Sequence, residues 1–320
     1  MARSDPPPDA IQAADTYVSQ PAPLFARLPL SYRIVPPAAR MAFLAARARR
    51  TSPDGRFPHW PIETRIDRDR APGLTYAGRR AAFLLTHDVD SPRDLELLDD
   101  VIALDRRIGI ISAVGFVPHQ SWPSEQRARQ LVDDGRELFW HDISHDGRLP
   151  YMPLDRIRRE FDNVRRHSPW ATDLMRAFRS GQLLTSRNLL TAVAERFAID
   201  MSIPDTERHG PYGATAGCGT VFPFRLHGIL EIPVTMPQEV FLRHVYRWPA
   251  DMIANTWDQK LAYIKARGGV ATLNIHPVWI ARRDPELRAV VQQLLERVVS
   301  DPDLLVTTPT GLEAAVSQPE

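Results

Sequence analysis

Ala81-Ala82-Phe83-Leu84-Leu85-Thr86-His87-Asp88-Val89-Asp90 is the stretch that decides the fold. An apolar run of this length, bounded by polar residues, reads as a strand buried on both faces, which is the habit of parallel sheets. Its end delivers two carboxylates, and side chains at the carboxyl ends of parallel strands converge on one face of the fold. The pattern recurs further on. The short run 138–140 is followed by His141-Asp142-Ile143-Ser144-His145, and the run 270–273 by Asn274-Ile275-His276-Pro277.

Outward from these stretches, strand-like and helix-like segments alternate. Strands are expected at 81–86, 108–116, 137–140, 174–178, 198–202, 226–234 and 270–275. Helices are expected at 92–107, 125–133, 154–167, 186–197, 255–267 and 285–299, with Gly135 as a stop signal and Ser186 as a cap. Repeated βα units imply a parallel sheet, and six or seven such strands over about 240 residues, 81–320, favour a (β/α) barrel, complete or not, over an open doubly wound sheet. No glycine-rich phosphate loop follows the first strand, which weighs against a dinucleotide fold.

Residues 1–80 read differently, as a proline-rich N-terminal extension ahead of the barrel at 81–320. Pro6-Pro7-Pro8, Pro36-Pro37, Pro58 and Pro61 punctuate it. One helix is expected at 37–50, with Met41, Phe43 and Leu44 on an apolar face and Arg40, Arg47, Arg49 and Arg50 making it basic. Such a helix docks on the main domain or makes peripheral membrane contact. Residues 57–61, Phe-Pro-His-Trp-Pro, read as an extended aromatic segment.

Composition narrows the class. At 320 residues, 43% hydrophobic and 25% charged, the chain can bury a sizeable core. The formal charge of +1 gives no case for nucleic acid as a partner, and no segment is apolar for long enough to span a bilayer. One cysteine, Cys218, excludes an internal disulfide framework and suits a reducing compartment. The N-terminus lacks the apolar stretch of a secretory signal, so the expected location is cytoplasmic.

The strand-end residues form a set with chemical sense. Two carboxylates as close as Asp88 and Asp90 resist joint ionisation unless a cation lies beside them. A metal held by one supplies that cation, and the other can then serve as general base. The four-residue spacing of His141 and His145 brings two imidazoles onto one metal, with Asp142 and Asp146 placed to orient a ring. Asp-His-His leaves positions open for water and substrate, as a catalytic site requires. Arg179, after the strand ending at Phe178, could clamp a carboxylate bidentately. His276 is either a satisfied buried histidine or part of the site. Trp122, Trp140, Trp248 and Trp279 lie near expected loops, where they could stack on sugars.

These residues in this order resemble the polysaccharide deacetylase superfamily, the carbohydrate esterase family 4 or NodB-homology group, over about residues 81–280. Thr86-His87-Asp88-Val89-Asp90 is similar to the family's opening motif in its D-V-D form. Gly135-Arg136-Glu137-Leu138-Phe139-Trp140-His141 through His145 matches its glycine-glutamate-histidine stretch. Phe178-Arg179-Ser180-Gly181 matches its arginine motif without the usual proline, and Leu273-Asn274-Ile275-His276 its last strand. The resemblance implies a distorted (β/α) barrel with about seven strands. It implies Asp88 as base, Asp90, His141 and His145 as metal ligands, Arg179 orienting Asp88, and His276 as acid. The aspartate that tunes the acid histidine is assigned to Asp200, with Asp205 as runner-up.

The expected activity is metal-assisted removal of an N-acetyl or other N-acyl group from an amino sugar in a glycan or sugar-lipid precursor. Zinc is the first choice of metal, and cobalt, nickel or iron suit the same ligands. The competing readings are hydrolysis of another C–N bond, by a deformylase or cyclic-amide hydrolase, and an inactive barrel used for binding.

Overall fold

The computed structural model describes residues 8–23, 75–205, 217–281 and 284–317, with a few positions between 26 and 46. Nine strands in this part form one sheet: β1 (Ala81–Val89), β2 (Ala113–Phe116), β3 (Glu137–His141), β4 (Met175–Arg179), β5 (Ile199–Asp200), β6 (Phe224–Leu226), β7 (Ile229–Glu231), β8 (Val270–Ile275) and β9 (Leu304–Thr307). Their order is β6-β7-β5-β4-β3-β2-β1-β8. All pairings are parallel except that of β6 with β7. β1 is the axis of the sheet. β8 takes one edge of it, while β9 pairs with 81–84 and β2 with 86–89 along the other.

The barrel is distorted where it closes. After β7, Val234 bridges to Pro204, and the Met236 N–H donates to the Thr272 carbonyl of β8 at 3.1 Å. The Thr235 hydroxyl stands in for a missing backbone rung: it donates to the Val270 carbonyl and accepts from the Thr272 N–H, both at 2.8 Å. A side chain thus satisfies backbone groups that a regular strand would have paired.

Helix boundaries follow local chemistry. Ser91 accepts from the Asp94 N–H to start Pro92–Ile108, which Gly109 ends at φ 78°. Ser124, Ser186 and Asp284 cap Glu125–Asp133, Arg187–Ala194 and Pro285–Ser300 in the same way. The expected strand at 226–234 is instead the β6–β7 hairpin, turned by His227 and Gly228 at positive φ. β9 was not anticipated, because Leu304-Leu305-Val306-Thr307 directly follows a long helix and is too short to show a period.

Period-2 alternation sorts each strand into an inner and an outer row. Ala82, Leu84, Ala113, Phe139, Ala177, Ile199, Met201 and Val270 fill the interior. Phe83 and Leu85 pack outward under the helices Pro92–Ile108, Ala250–Arg267 and Pro285–Ser300. Phe116, Trp140 and Phe178 pack outward under Leu154–His167 and Arg187–Ala194. The inner rows end in Asp88, His141, Arg179, Asn274 and His276, so the alternation aims these residues at one mouth.

The sequence reading also missed the helix Pro8–Val18. Ala10, Ala14, Tyr17 and Val18 are buried on it at helical spacing, and the last three join the core around Trp140 and Phe161. Of the expected helix at 37–50, Ala39 and residues 42–46 are helical, with Phe43 68% exposed rather than packed. Its arginines and the aromatic segment 57–61 lie outside the described residues. No helix among the described residues is long and apolar enough to cross a membrane.

Candidate functional site

Asp88 ends the inner row of β1 and is 2% exposed. Arg179, from β4, donates through Nη1 to Asp88 Oδ1 at 2.9 Å and to Thr86 Oγ1 at 2.8 Å. Its Nε donates to the Met201 carbonyl at 3.2 Å, and the guanidinium lies 5.1 Å from the Phe139 ring centre. The contact with Asp88 is therefore through one nitrogen, not the bidentate clamp the sequence suggested. Asn274 Nδ2 takes the second carboxylate oxygen at 2.7 Å. Burial raises the Asp88 pKa, but Arg179, then His141 and His276, outweigh it and hold the carboxyl below its ordinary value.

Asp90, His141 and His145 come together with one ligand atom each inside 4.8 Å of one another. His141 Nε2 lies 3.0 Å from Asp90 Oδ1, and His145 Nε2 lies 3.4 Å from the same oxygen. His141 Nδ1 donates to the Arg179 carbonyl at 3.1 Å, which fixes its tautomer and turns the lone pair of Nε2 into the site. Asp90 Oδ1 and His141 Nε2 are buried and, although 3.0 Å apart, neither makes a well-oriented hydrogen bond. Buried polar atoms are rarely left so, and a divalent cation between them would satisfy both. The donor set and its orphaned atoms fit a metal.

The His141–His145 loop is tight. Asp142 (φ 62°) and His145 (φ 51°) both adopt left-handed backbone. The Asp142 carboxylate accepts from the Ile143 N–H at 2.6 Å and the Gly181 N–H at 3.2 Å, so it staples the loop to the turn after β4 rather than touching an imidazole. A Cβ on Gly181 would lie 2.4 Å from Asp142 Oδ2 and 2.8 Å from His145 Cδ2, which leaves room only for glycine. Asp146 accepts from the Arg148 N–H within its own loop.

His276 follows β8, with Nε2 3.7 Å from Asp90 Oδ2. Its Nδ1 donates to Glu239 Oε1 at 2.7 Å, and so does its backbone N–H, also at 2.7 Å. Burial disfavours the imidazolium, yet Glu239 first, then Asp90 and Asp88, push the pKa up to about 10. Glu239 is the residue the sequence reading missed. It precedes the π-helix Val240–Val245, outside every strand-end pattern, and its only signal was a glutamate buried in an apolar stretch.

Asp200, assigned by the resemblance to the acid histidine, does not reach it. Ile199 and Met201 on either side face the interior, so alternation turns Asp200 outward. There it accepts from Ser202 Oγ at 2.5 Å and pairs with Glu231 across the β5–β7 register. The runner-up, Asp205, is ion-paired with the buried Lys260. His87 also points outward, where Nε2 meets Asp105 at 2.9 Å in a buried cluster with Ser112 and Arg136. Trp140 is 1% exposed, which removes it from any sugar surface; Trp122, half-buried, packs edge-on against it, and Trp279 lies against His244, beside the turn that carries His276.

No family model matches the chain, and no curated protein sequence matches it. Solved structures do. A Mycobacterium smegmatis protein described as a polysaccharide deacetylase superposes with a TM-score of 0.59 at 15% identity, covering 74% of this chain and 91% of its own. A Pseudomonas aeruginosa PAO1 protein of the same description gives 0.56 at 14% identity, covering 74% and 91%. Puue allantoinase gives 0.55 at 15% identity, covering 74% and 90%. At such identities the likeness is one of architecture, and it agrees with what the motifs imply: the chain has the fold of the polysaccharide deacetylase superfamily.

Proposed function

We propose that this protein is a metal-dependent hydrolase that removes an N-acetyl, or other N-acyl, group from an amino sugar. The observation that carries this reading is the convergence at one barrel mouth of a three-donor cage, a buried carboxylate held by Arg179 and Asn274, and a histidine held by Glu239. Asp90, His141 and His145 would hold the cation, which supplies Lewis acidity by polarising a carbonyl and lowering the pKa of water. Zinc is the first candidate for these donors, with cobalt, nickel or iron as alternatives.

The chain's own residues handle the protons. Asp88 is the general base. Arg179 and Asn274 each occupy one lone pair of its carboxylate, and a carboxylate has about four acceptor sites, so proton-accepting capacity remains on both oxygens. A guanidinium in contact keeps the base ionised in a buried setting, at the expense of some basicity. His276 is the general acid. Glu239 holds Nδ1–H, which leaves the Nε2 proton facing the site, ready for the departing amine. Amines leave poorly unless protonated, so amide cleavage needs this second group. Arg179, 0% exposed, positions the base and does not touch substrate.

The test is acetate release from N-acetylated oligosaccharides by zinc- or cobalt-loaded protein, with Asp88→Asn as control. Acetate from wild type alone supports the reading. The fold shared with an allantoinase keeps cyclic amides in the same panel. Ring opening without acetate release would move the assignment to another C–N bond. A sugar substrate attached to lipid and peripheral membrane contact through 37–50 are extensions of this proposal, tested by vesicle sedimentation.

A further inference from the structure

The turn that follows β4 joins the base Asp88 to the loop that carries His141 and His145. Arg179 holds Asp88 through its guanidinium, while its carbonyl accepts from His141 Nδ1 at 3.1 Å and from the Asp142 N–H at 2.8 Å. Two residues on, the Gly181 N–H holds Asp142 Oδ2 and, through it, the loop that carries His145. To make this turn the chain places two consecutive non-glycine residues, Gln182 (φ 58°) and Leu183 (φ 55°), in the left-handed region. L side chains adopt that region at a cost, so the turn persists only if its surroundings hold it.

Besides local bonds from the Leu183 and Leu184 N–H groups to the Ser180 and Gly181 carbonyls, one hold comes from the other end of the sequence. Tyr17 Oη donates to the Leu183 carbonyl at 2.7 Å across 166 positions of chain, with both groups buried. Tyr17 is 1% exposed on the helix Pro8–Val18, whose apolar stripe is sunk in the core. Arg187 Nε donates to Ser19 Oγ at 2.9 Å, fastening the end of that helix to the segment just beyond the turn. The tyrosine hydroxyl is thus fixed before it meets its acceptor.

We infer that Tyr17 is a positioning residue for the metal centre. By gripping the Leu183 carbonyl it keeps the turn at 179–183 in its left-handed form, and so keeps Asp142 and the two histidines in register. This inference rests on the Asp90–His141–His145 cage being a metal site. It gives the N-terminal helix a part in the chemistry although the helix contributes no group to the mouth.

The experiment measures zinc affinity of the full chain by competition with a chromophoric chelator, zinc being the only ligand added. Tyr17→Phe keeps the ring and removes the donor, so the fold is retained. Zinc affinity should fall by about fivefold to tenfold, the size expected for one buried hydrogen bond passed on to the site. Adding Gln182→Gly, at an exposed position where glycine takes positive φ without strain, should recover most of that loss. Amides at 180–184 should exchange faster with deuterium in Tyr17→Phe alone, with or without zinc. Unchanged affinity and exchange in Tyr17→Phe overturn the inference. So does a loss that Gln182→Gly leaves in place, since that outcome marks general loosening of the helix. A wild type that binds no zinc overturns the metal reading instead, and the exchange data then still decide whether Tyr17 holds the turn.

Discussion

Two pairs of acids in the same barrel, one at its half-open mouth and one fully buried, behave in opposite ways. Asp88 and Asp90, at the mouth, are both held below the ordinary carboxylate range: Arg179, then His141 and His276, outweigh burial at Asp88, and His145, then His141 and His276, outweigh it at Asp90. Asp200 and Glu231, outside the sheet between β5 and β7, have no cation in contact. Burial pushes Asp200 up to about 6 and Glu231 well above its usual value, so the pair shares a proton. Desolvation is common to both places, and the partner decides the charge. An ionised pair surrounded by basic groups can take up a cation and a proton, whereas a protonated pair braces the strand through Ser202 and the Ile203 N–H.

The comparison breaks most sharply at Asp88. Asp88→Asn should lower acetate release by about a thousandfold, the usual range for removing a general base, while metal content by plasma mass spectrometry stays near one ion per chain. Arg179→Met comes next. It strands the Asp88 carboxylate without its guanidinium and should destabilise the fold by about 3–5 kcal/mol in urea unfolding. Joining it to Asp88→Asn should restore part of that loss, since the two residues are in contact.

The second pair gives the opposite pH signature. Asp200 has a folded pKa of about 6 against an ordinary value of 3.8, so the folded state binds more protons between these values. Its contribution is fully present below about pH 4 and is lost as pH rises through 6, a change on the order of 3 kcal/mol. Asp88 has the reverse sign: its lowered pKa stabilises the fold above pH 3.8 and that contribution is lost as pH falls. Asp200→Asn should flatten the fall in stability between pH 4 and 7, as read by urea midpoints at several pH values. A smaller effect is expected at Glu239. Glu239→Gln should keep the fold and slow turnover by about tenfold to a hundredfold, with kcat falling more than KM changes.

Much of this was legible in the sequence for a physical reason. Strand ends in a parallel barrel collect polar residues against apolar runs, so Asp88, Asp90, His141, Arg179 and His276 each stood out beside a hydrophobic stretch. The helices were legible through their caps and stops, as at Ser186 and Gly135. Alternation was the rule that could not be applied to β5, two residues long, where assigning Asp200 to the interior requires knowing which neighbour faces in. Glu239 was hidden because it lies before an irregular π-helix and reaches His276 only through tertiary packing. Tyr17 was hidden because its partner is a backbone carbonyl, which has no sequence signature. The closure through Thr235 was hidden likewise, since a hydroxyl standing in for a rung leaves no period to read.

The central claim is that β1, the loop after β3 and the strand end of β8 build one metal-dependent site. Anomalous diffraction at the zinc edge from crystals of the zinc-loaded protein tests it most directly. The account predicts a single strong peak within about 2.0–2.2 Å of Asp90, His141 and His145, with Asp88 and His276 flanking but not ligating it. Density for the ion elsewhere, or the three side chains in place with no peak between them under saturating zinc, would contradict it.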